Sequence, residues 1–197
     1  MRDEKKKIRH EAIARAAYAL LAQKGYDGTS MLSIARSAKA SNETLYRWYG
    51  DKRGLFEAMA RDNASEIKAV LEQAIGARDD PVEALERFSP KFLEMILGER
   101  AILLNRAAAA DPSGELGAAI SAGGRNEIQP LIEALMRRIP NPHRFDAQDM
   151  TDWFVGLLVG DLQIKRAIGV LALPSASEIE ARCCKAHGAF FWHLRAG

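Results

Sequence analysis

Apolar side chains recur three and four residues apart through most of the chain, and no segment alternates apolar and polar as a half-buried strand would. The first stripe, Ile8, Ala12, Ile13, Ala16, Leu20 and Leu21, predicts a helix over about 4–24. Gly25 stands where a helix-ending glycine adopts the left-handed conformation without a Cβ clash. Tyr26-Asp27-Gly28 reads as a turn, and Ser30 is placed to cap a short helix over 31–38 with Leu32, Ile34 and Ala35 inward. Ser41 can cap another over 42–49, and Asp51 a long one over about 52–74.

The helical reading continues beyond Gly76. Asp80-Pro81-Val82-Glu83 supplies a cap, a proline at the first helical position and an acid three residues past the cap, opening a helix to about Leu97. Another is expected over 99–110, ended by Asp111-Pro112-Ser113-Gly114. A further one is expected over 115–139, with Gly123-Gly124 as a kink. Pro140-Asn-Pro-His-Arg144 is the strongest interruption. Two last helices, about 147–169 and 178–194, are separated by Leu173-Pro174-Ser175, with Ser177 and Glu180 as a capping box. The expectation is an all-α chain of about nine helices, without repeats or low-complexity segments.

The chain has 197 residues, 48% hydrophobic and 27% charged, a globular balance that excludes a disordered or fibrous protein. No apolar run approaches the roughly 18 residues of a membrane span. The start, Met1 to Lys7, is charged with no apolar stretch behind it, so no secretory signal is expected. Two adjacent cysteines, Cys183 and Cys184, make no disulfide framework and are expected as buried small hydrophobes. A reducing cytoplasm is the expected location. Charge is uneven: residues 1–61 hold 13 Lys/Arg against 7 Asp/Glu, a net of +6, and the rest hold 15 against 19, a net of −4. A basic first third points to a polyanionic partner.

Two short helices joined by Lys39-Ala40, between a longer helix before and after, have the arrangement of a helix-turn-helix. The flanking helices bury the back of the pair and leave the third helix free for a major groove. Along that helix Leu45 and Tyr49 can face the core, leaving Asn42, Glu43, Thr44, Tyr46, Arg47 and Trp48 available. Arg suits guanine, Asn adenine, and Glu the amino group of cytosine, while Thr and Tyr hydroxyls reach phosphate oxygens. Lys52 adds a cation beside helix-terminal amides that already favour a phosphate. A plain helical bundle is the competing reading, with Tyr46, Trp48 and Tyr49 as core aromatics and Arg47 a solvated charge. Caps, spacing and charge together favour the helix-turn-helix.

Residues 9–56 resemble the DNA-binding domain of the TetR family of bacterial transcriptional regulators. The resemblance is carried by Arg9, Ile13, Ala16-Ala17, Leu20-Leu21, Gly25-Tyr26, Thr29-Ser30, Ile34-Ala35, Ala38, Ser41, Thr44-Leu45-Tyr46, Tyr49, Lys52 and Leu55-Phe56. It implies that residues 1–50 form a DNA-binding domain and 51–197 a helical effector-binding and dimerisation domain. Ser30, Lys39, Ser41, Asn42, Glu43, Thr44, Tyr46, Arg47 and Lys52 are the candidate DNA contacts. The chain departs from the family where Lys39 replaces the turn glycine and Ala40 a larger aliphatic, where Trp48-Tyr49 replaces His-Phe, and where Arg53-Gly54 replaces acid-alanine. A left-handed Lys39 costs roughly 1 kcal/mol against glycine, and an altered turn is the alternative.

The resemblance further implies a homodimer on a palindromic operator, most often as a repressor, and a small-molecule effector, partly apolar. Phe88, Phe92, Met95, Leu103, Trp153 and Leu157 are its candidate apolar contacts, with Asn105 and Arg106 to orient it. Phe154, Leu158, Phe190, Phe191 and Leu194 are the candidate dimer interface. No enzyme is expected and no cofactor. His10, His143, His187 and His193 have no metal-ligand spacing, and there is no phosphate loop or nucleophile elbow. The alternative from another class is a ligand-binding or interaction protein that kept the fold without specific DNA binding, for which Lys39 is the best argument.

Overall fold

The computed structural model describes residues 2–141 and 143–196. Met1, Gly197 and Pro142 of the expected Pro140–Arg144 interruption lie outside the described residues, as do the side chains of Arg2 and Asp3 in the charged start. The described residues form eleven helices and no strand. The first six are α1 (Arg2–Lys24), α2 (Met31–Ser37), α3 (Asn42–Tyr49), α4 (Lys52–Gly76), α5 (Pro81–Leu97) and α6 (Glu99–Ala110). The remaining five are α7 (Glu115–Gly123), α8 (Arg125–Met136), α9 (Ala147–Val159), α10 (Leu162–Ala167) and α11 (Ala176–Ala196). None is long and apolar enough to cross a membrane, among the described residues.

The count exceeds nine because two expected helices are each divided at a glycine. The segment expected over 115–139 breaks at Gly124, where φ is −114° and ψ −88°. The one expected over 147–169 breaks at Gly160, where φ is +51°. Apolar spacing runs through both breaks, so periodicity alone could not reveal them. At the second break Arg182 of α11 donates from Nε to the Leu158 carbonyl at 2.9 Å and from Nη2 to that of Leu157. It thereby satisfies acceptors that the end of α9 leaves without partners.

The chain divides into two compact units. The first comprises residues 1–62 and 103–124, the second 63–102 and 125–197. In the first, Ile13, Ala17, Leu21, Ile34, Leu45, Leu55, Phe56 and Met59 form a sealed apolar core, with Leu104 and Leu116 closing it. Ile8 and Leu32, expected inward, are 61% and 47% exposed, and Met31 takes the inward place on α2. The second unit is built around Leu71, Leu85, Phe88, Leu93, Leu135, Phe154, Leu158 and Phe190, where α11 packs on α9 and α5 and α8 packs on α9.

The expected caps at Ser30, Ser41, Asp51 and Asp80 all accept first-turn amides. The last helix is capped differently from expectation. Ser175 and Glu178, rather than Ser177 and Glu180, exchange side-chain and backbone bonds, because the segment holds two overlapping Ser-x-x-Glu frames and the helix starts at the earlier. Cys183 is buried, whereas Cys184 is exposed on the neighbouring face of α11.

Gly123 ends α7 against α4, and a Cβ there would lie 2.2 Å from the Glu57 carbonyl oxygen and 3.0 Å from the Arg61 nitrogen. Backbone cannot yield as a side-chain tip can. Gly123→Ala is therefore expected to destabilise the protein by roughly 1–3 kcal/mol, read as a lower urea midpoint in chemical unfolding.

Candidate nucleic-acid interface

The interface is built from α2, its turn and α3. Ser30 and Ser33 form a reciprocal cap at the start of α2: the Ser33 amide donates to Ser30 Oγ at 3.1 Å, and the Ser30 amide to Ser33 Oγ at 3.0 Å. At the other end the Ala40 amide reaches the Ala35 carbonyl at 2.9 Å, and the Lys39 amide reaches that of Arg36 at 3.2 Å. This is a Schellman closure, and it requires a left-handed residue at Lys39, whose φ is +51°. Lysine thus adopts the glycine conformation and keeps the turn, with its ammonium exposed beside α3.

α3 starts at the Ser41 cap, which accepts the Thr44 amide at 3.1 Å and pairs with the Thr44 hydroxyl at 2.7 Å. Thr44 is 7% exposed, so this expected contact is a buried part of the cap rather than a displayed side chain. Ser30, Ser41, Asn42, Glu43, Tyr46 and Arg47 are exposed, and Leu45 is sealed in the core. Trp48 is half-buried and turns its ring toward Lys6, whose Nζ lies 5.9 Å from the ring centroid.

Lys52 differs from its expected role. Its ammonium donates to the Tyr26 carbonyl and lies 3.7 Å from the centroid of the Tyr26 ring. Burial holds its pKa below the ordinary lysine value, with the charge of Asp27 opposing. Burial also raises the Tyr26 hydroxyl, with Asp111 and Asp51 adding to it. Lys52 therefore pins the Gly25–Thr29 turn to the start of α4. Periodicity and caps could not reveal this, because the carbonyl it finds is 26 positions away.

The structure adds contacts that the motif did not name. Lys5, Lys6, Ile8, Arg9 and Ala12 of α1 face Ala38, Lys39, Arg47 and Trp48 across an open groove of about 910 Å³. Five cations line it, with no carboxylate among the described lining residues. The spacing of Lys5, Arg9 and Ala12 marks one helical face and was legible; that it meets the turn of α2 and α3 was not. A concave cationic surface beside an exposed helix focuses positive potential, which attracts a polyphosphate backbone. Lys39→Gly is expected to raise the melting temperature, by relieving up to about 1 kcal/mol of left-handed strain, while removing one of the groove's charges. Thermal unfolding monitored by circular dichroism checks the first effect.

The residues expected to contact an effector fall in different units. Phe88, Phe92, Met95, Trp153 and Leu157 belong to the second, where Phe88 and Phe92 stack with centroids 4.9 Å apart. Leu103, Asn105 and Arg106 belong to the first, where Leu103 packs on the core and Arg106 is exposed. The dimer-interface expectation is corrected by burial. Phe154, Leu158, Phe190 and Leu194 are at most 2% exposed and form the second unit's own core; Phe191 is only partly buried against them. These side chains hold the second unit together and leave none of their surface for a partner, except at Phe191. The exposed large apolar side chains of that unit are Leu157, Ile164, Ile168, Val170, Leu173 and Trp192.

Comparison with known proteins gives a consistent answer. The family model described as bacterial regulatory proteins, tetR family, matches residues 13–59. The uncharacterized HTH-type transcriptional regulator YvkB of Bacillus subtilis is 37% identical over 67 residues, which are 34% of this chain and 35% of the relative. The matched stretches span between 22% and 35% of the length of the curated relatives. A TetR transcriptional regulator from Agrobacterium tumefaciens superposes with a TM-score of 0.71 at 28% identity, covering 93% of each chain. A chain from Mesorhizobium loti assigned to the same family superposes at 0.73 with 23% identity, covering 94% of this chain and 96% of that one. The helix-turn-helix is thus matched in sequence to the tetR family of bacterial regulatory proteins, and the chain as a whole shares the fold of solved TetR regulators.

Proposed function

We propose that the chain is a DNA-binding transcriptional regulator of the cytoplasm, a repressor that holds a palindromic operator as a homodimer and releases it when a small molecule binds. The observation that carries this reading is the exposed face of α3, Asn42, Glu43, Tyr46 and Arg47, set beside a groove lined by five cations. The first group has the donors and acceptors that base edges require, and the second has the charge that phosphates require. Residues 1–50 carry the DNA contacts in this reading, with Ser30, Lys39 and Ser41 at the backbone. Lys52 and Thr44 brace the element instead of touching DNA.

Residues 51–197 take the effector and the partner copy. One recognition helix reads few bases, and a dimer supplies the second half-site. Support for a partner copy comes from the exposed Leu157, Ile164, Ile168, Val170, Leu173 and Trp192. Phe92, Met95 and Trp153, partly buried beside the second core, suit the apolar body of an effector. The effector acts by binding one conformation of the dimer better than the other, changing the separation of the two recognition helices. The family works by binding DNA and not by catalysis. The Schellman turn at Lys39 removes the main argument for a fold that has lost DNA binding.

Fluorescence polarisation on the DNA upstream of the protein's own gene tests the reading against scrambled DNA; equal affinity for both would sink it. Arg9→Ala is expected to weaken both complexes and to flatten the salt dependence by about one unit. Asn42→Ala is expected to cost roughly 1–3 kcal/mol on the preferred sequence and little on scrambled DNA.

A further inference from the structure

α3 ends at Tyr49, and its phenol is tied to two other helices through one imidazole. The Tyr49 hydroxyl lies 2.6 Å from His10 Nδ1 on α1, with ring centroids 5.6 Å apart. On the opposite edge of the ring, His10 Nε2 meets the carboxylate of Asp62 on α4. Asp62 is the last residue of the first unit on α4, and the helix continues beyond it to Gly76. The side chains of His10 and Asp62 are 26% and 49% exposed, so the imidazole exchanges protons with water.

The chain has two hydrogen-bonding states. Tyr49 stays a neutral phenol in both, because burial and then the charge of Asp62 push its pKa up. As an imidazolium, His10 donates from Nε2 to Asp62 and from Nδ1 to the Tyr49 oxygen. As a neutral ring it keeps the Nε2 proton for the carboxylate and accepts at Nδ1, so Tyr49 turns its own proton toward the ring. Losing the proton reverses the donor at the last residue of α3, makes the bond to Tyr49 a weaker neutral one and ends the ion pair with Asp62, whose carboxylate still accepts from Nε2.

We propose that His10 is a positioning residue for DNA recognition: it holds the C-terminal end of α3 through Tyr49, and its protonation tightens that hold and raises operator affinity. The groups facing it are Tyr49 from α3, Asp62 from α4, and Glu11 and Lys6 from α1 itself. The bond to Asp62 raises the His10 pKa; partial burial lowers it, the charges of Asp62 and Glu11 raise it, and Lys6 lowers it. The net shift is upward from 6.5. A raised histidine stabilises in full below its unfolded value and loses that contribution as pH climbs through the folded value, so the hold relaxes on the alkaline side.

The affinity arm of the test rests on the DNA-binding reading, and a second arm does not. The full chain is titrated from pH 6 to pH 8.5 with the upstream DNA of its own gene. In parallel, the Trp48 indole resonance is followed by NMR, its ring centroid being 6.3 Å from that of Tyr49. Wild-type affinity is expected to fall about threefold over that range, a size set by a half-exposed pair. The salt slope is expected to stay unchanged, because His10 displaces no counterion. The Trp48 resonance is expected to follow the same titration. His10→Gln and Tyr49→Phe should flatten both curves, while Tyr49→Phe leaves the His10 ring itself titrating. A flat wild-type profile, a pH dependence that survives Tyr49→Phe, or a salt slope steeper by one unit at low pH would each overturn the proposal. Failure to discriminate the upstream DNA at every pH, with Trp48 still titrating, would refute the regulator reading and the affinity half of the proposal, and leave only the hold of His10 on the end of α3.

Discussion

A helix of eight residues does not persist alone in water, because nucleating it costs more than its few internal hydrogen bonds return. α3 is such a helix, and the face it presents exists only because its surroundings hold it. Leu45 is its one fully sealed side chain, set among Ile13, Ile34 and Phe56 in the first core. Ser41 and Thr44 satisfy its first turn, and Tyr49 joins its last residue to α1 and α4 through His10. With both ends and one apolar anchor fixed, the exposed side chains keep a constant register. Readout of base edges requires that constancy, since a bidentate contact tolerates little angular error.

The same need for bracing explains side chains that are polar yet do not touch a ligand. Lys52 gives up part of its solvation to hold the Gly25–Thr29 turn, and the lowered pKa is the cost of that position. Thr44 spends its hydroxyl on Ser41. In the second unit Arg182 and Arg166 donate to carbonyls at the ends of α9 and α5, where helices stop and acceptors would otherwise be left open. Cations with internal acceptors of this kind are poor candidates for phosphate contacts. The groove-lining Lys5, Lys6, Arg9, Lys39 and Arg47 are better ones.

Helix periodicity, the capping serines and aspartates, the turn between α2 and α3, and the basic first third could all be read from the chain alone. These depend on neighbours within four or five positions, where backbone geometry leaves few options. Even the unusual Lys39 sits where its turn called for a left-handed residue. Facing directions were another matter. Ile8 turned outward to line the groove, Thr44 turned inward, and Phe154, Leu158, Phe190 and Leu194 proved to be the interior of their own unit. An apolar stripe announces that it will be covered without naming the cover. Partners such as His10 with Tyr49 and Asp62, 39 and 52 positions apart, come together only once the helices have packed. Local hydrogen bonding is encoded within a few residues, whereas burial and polar pairing at a distance depend on which helix lands opposite.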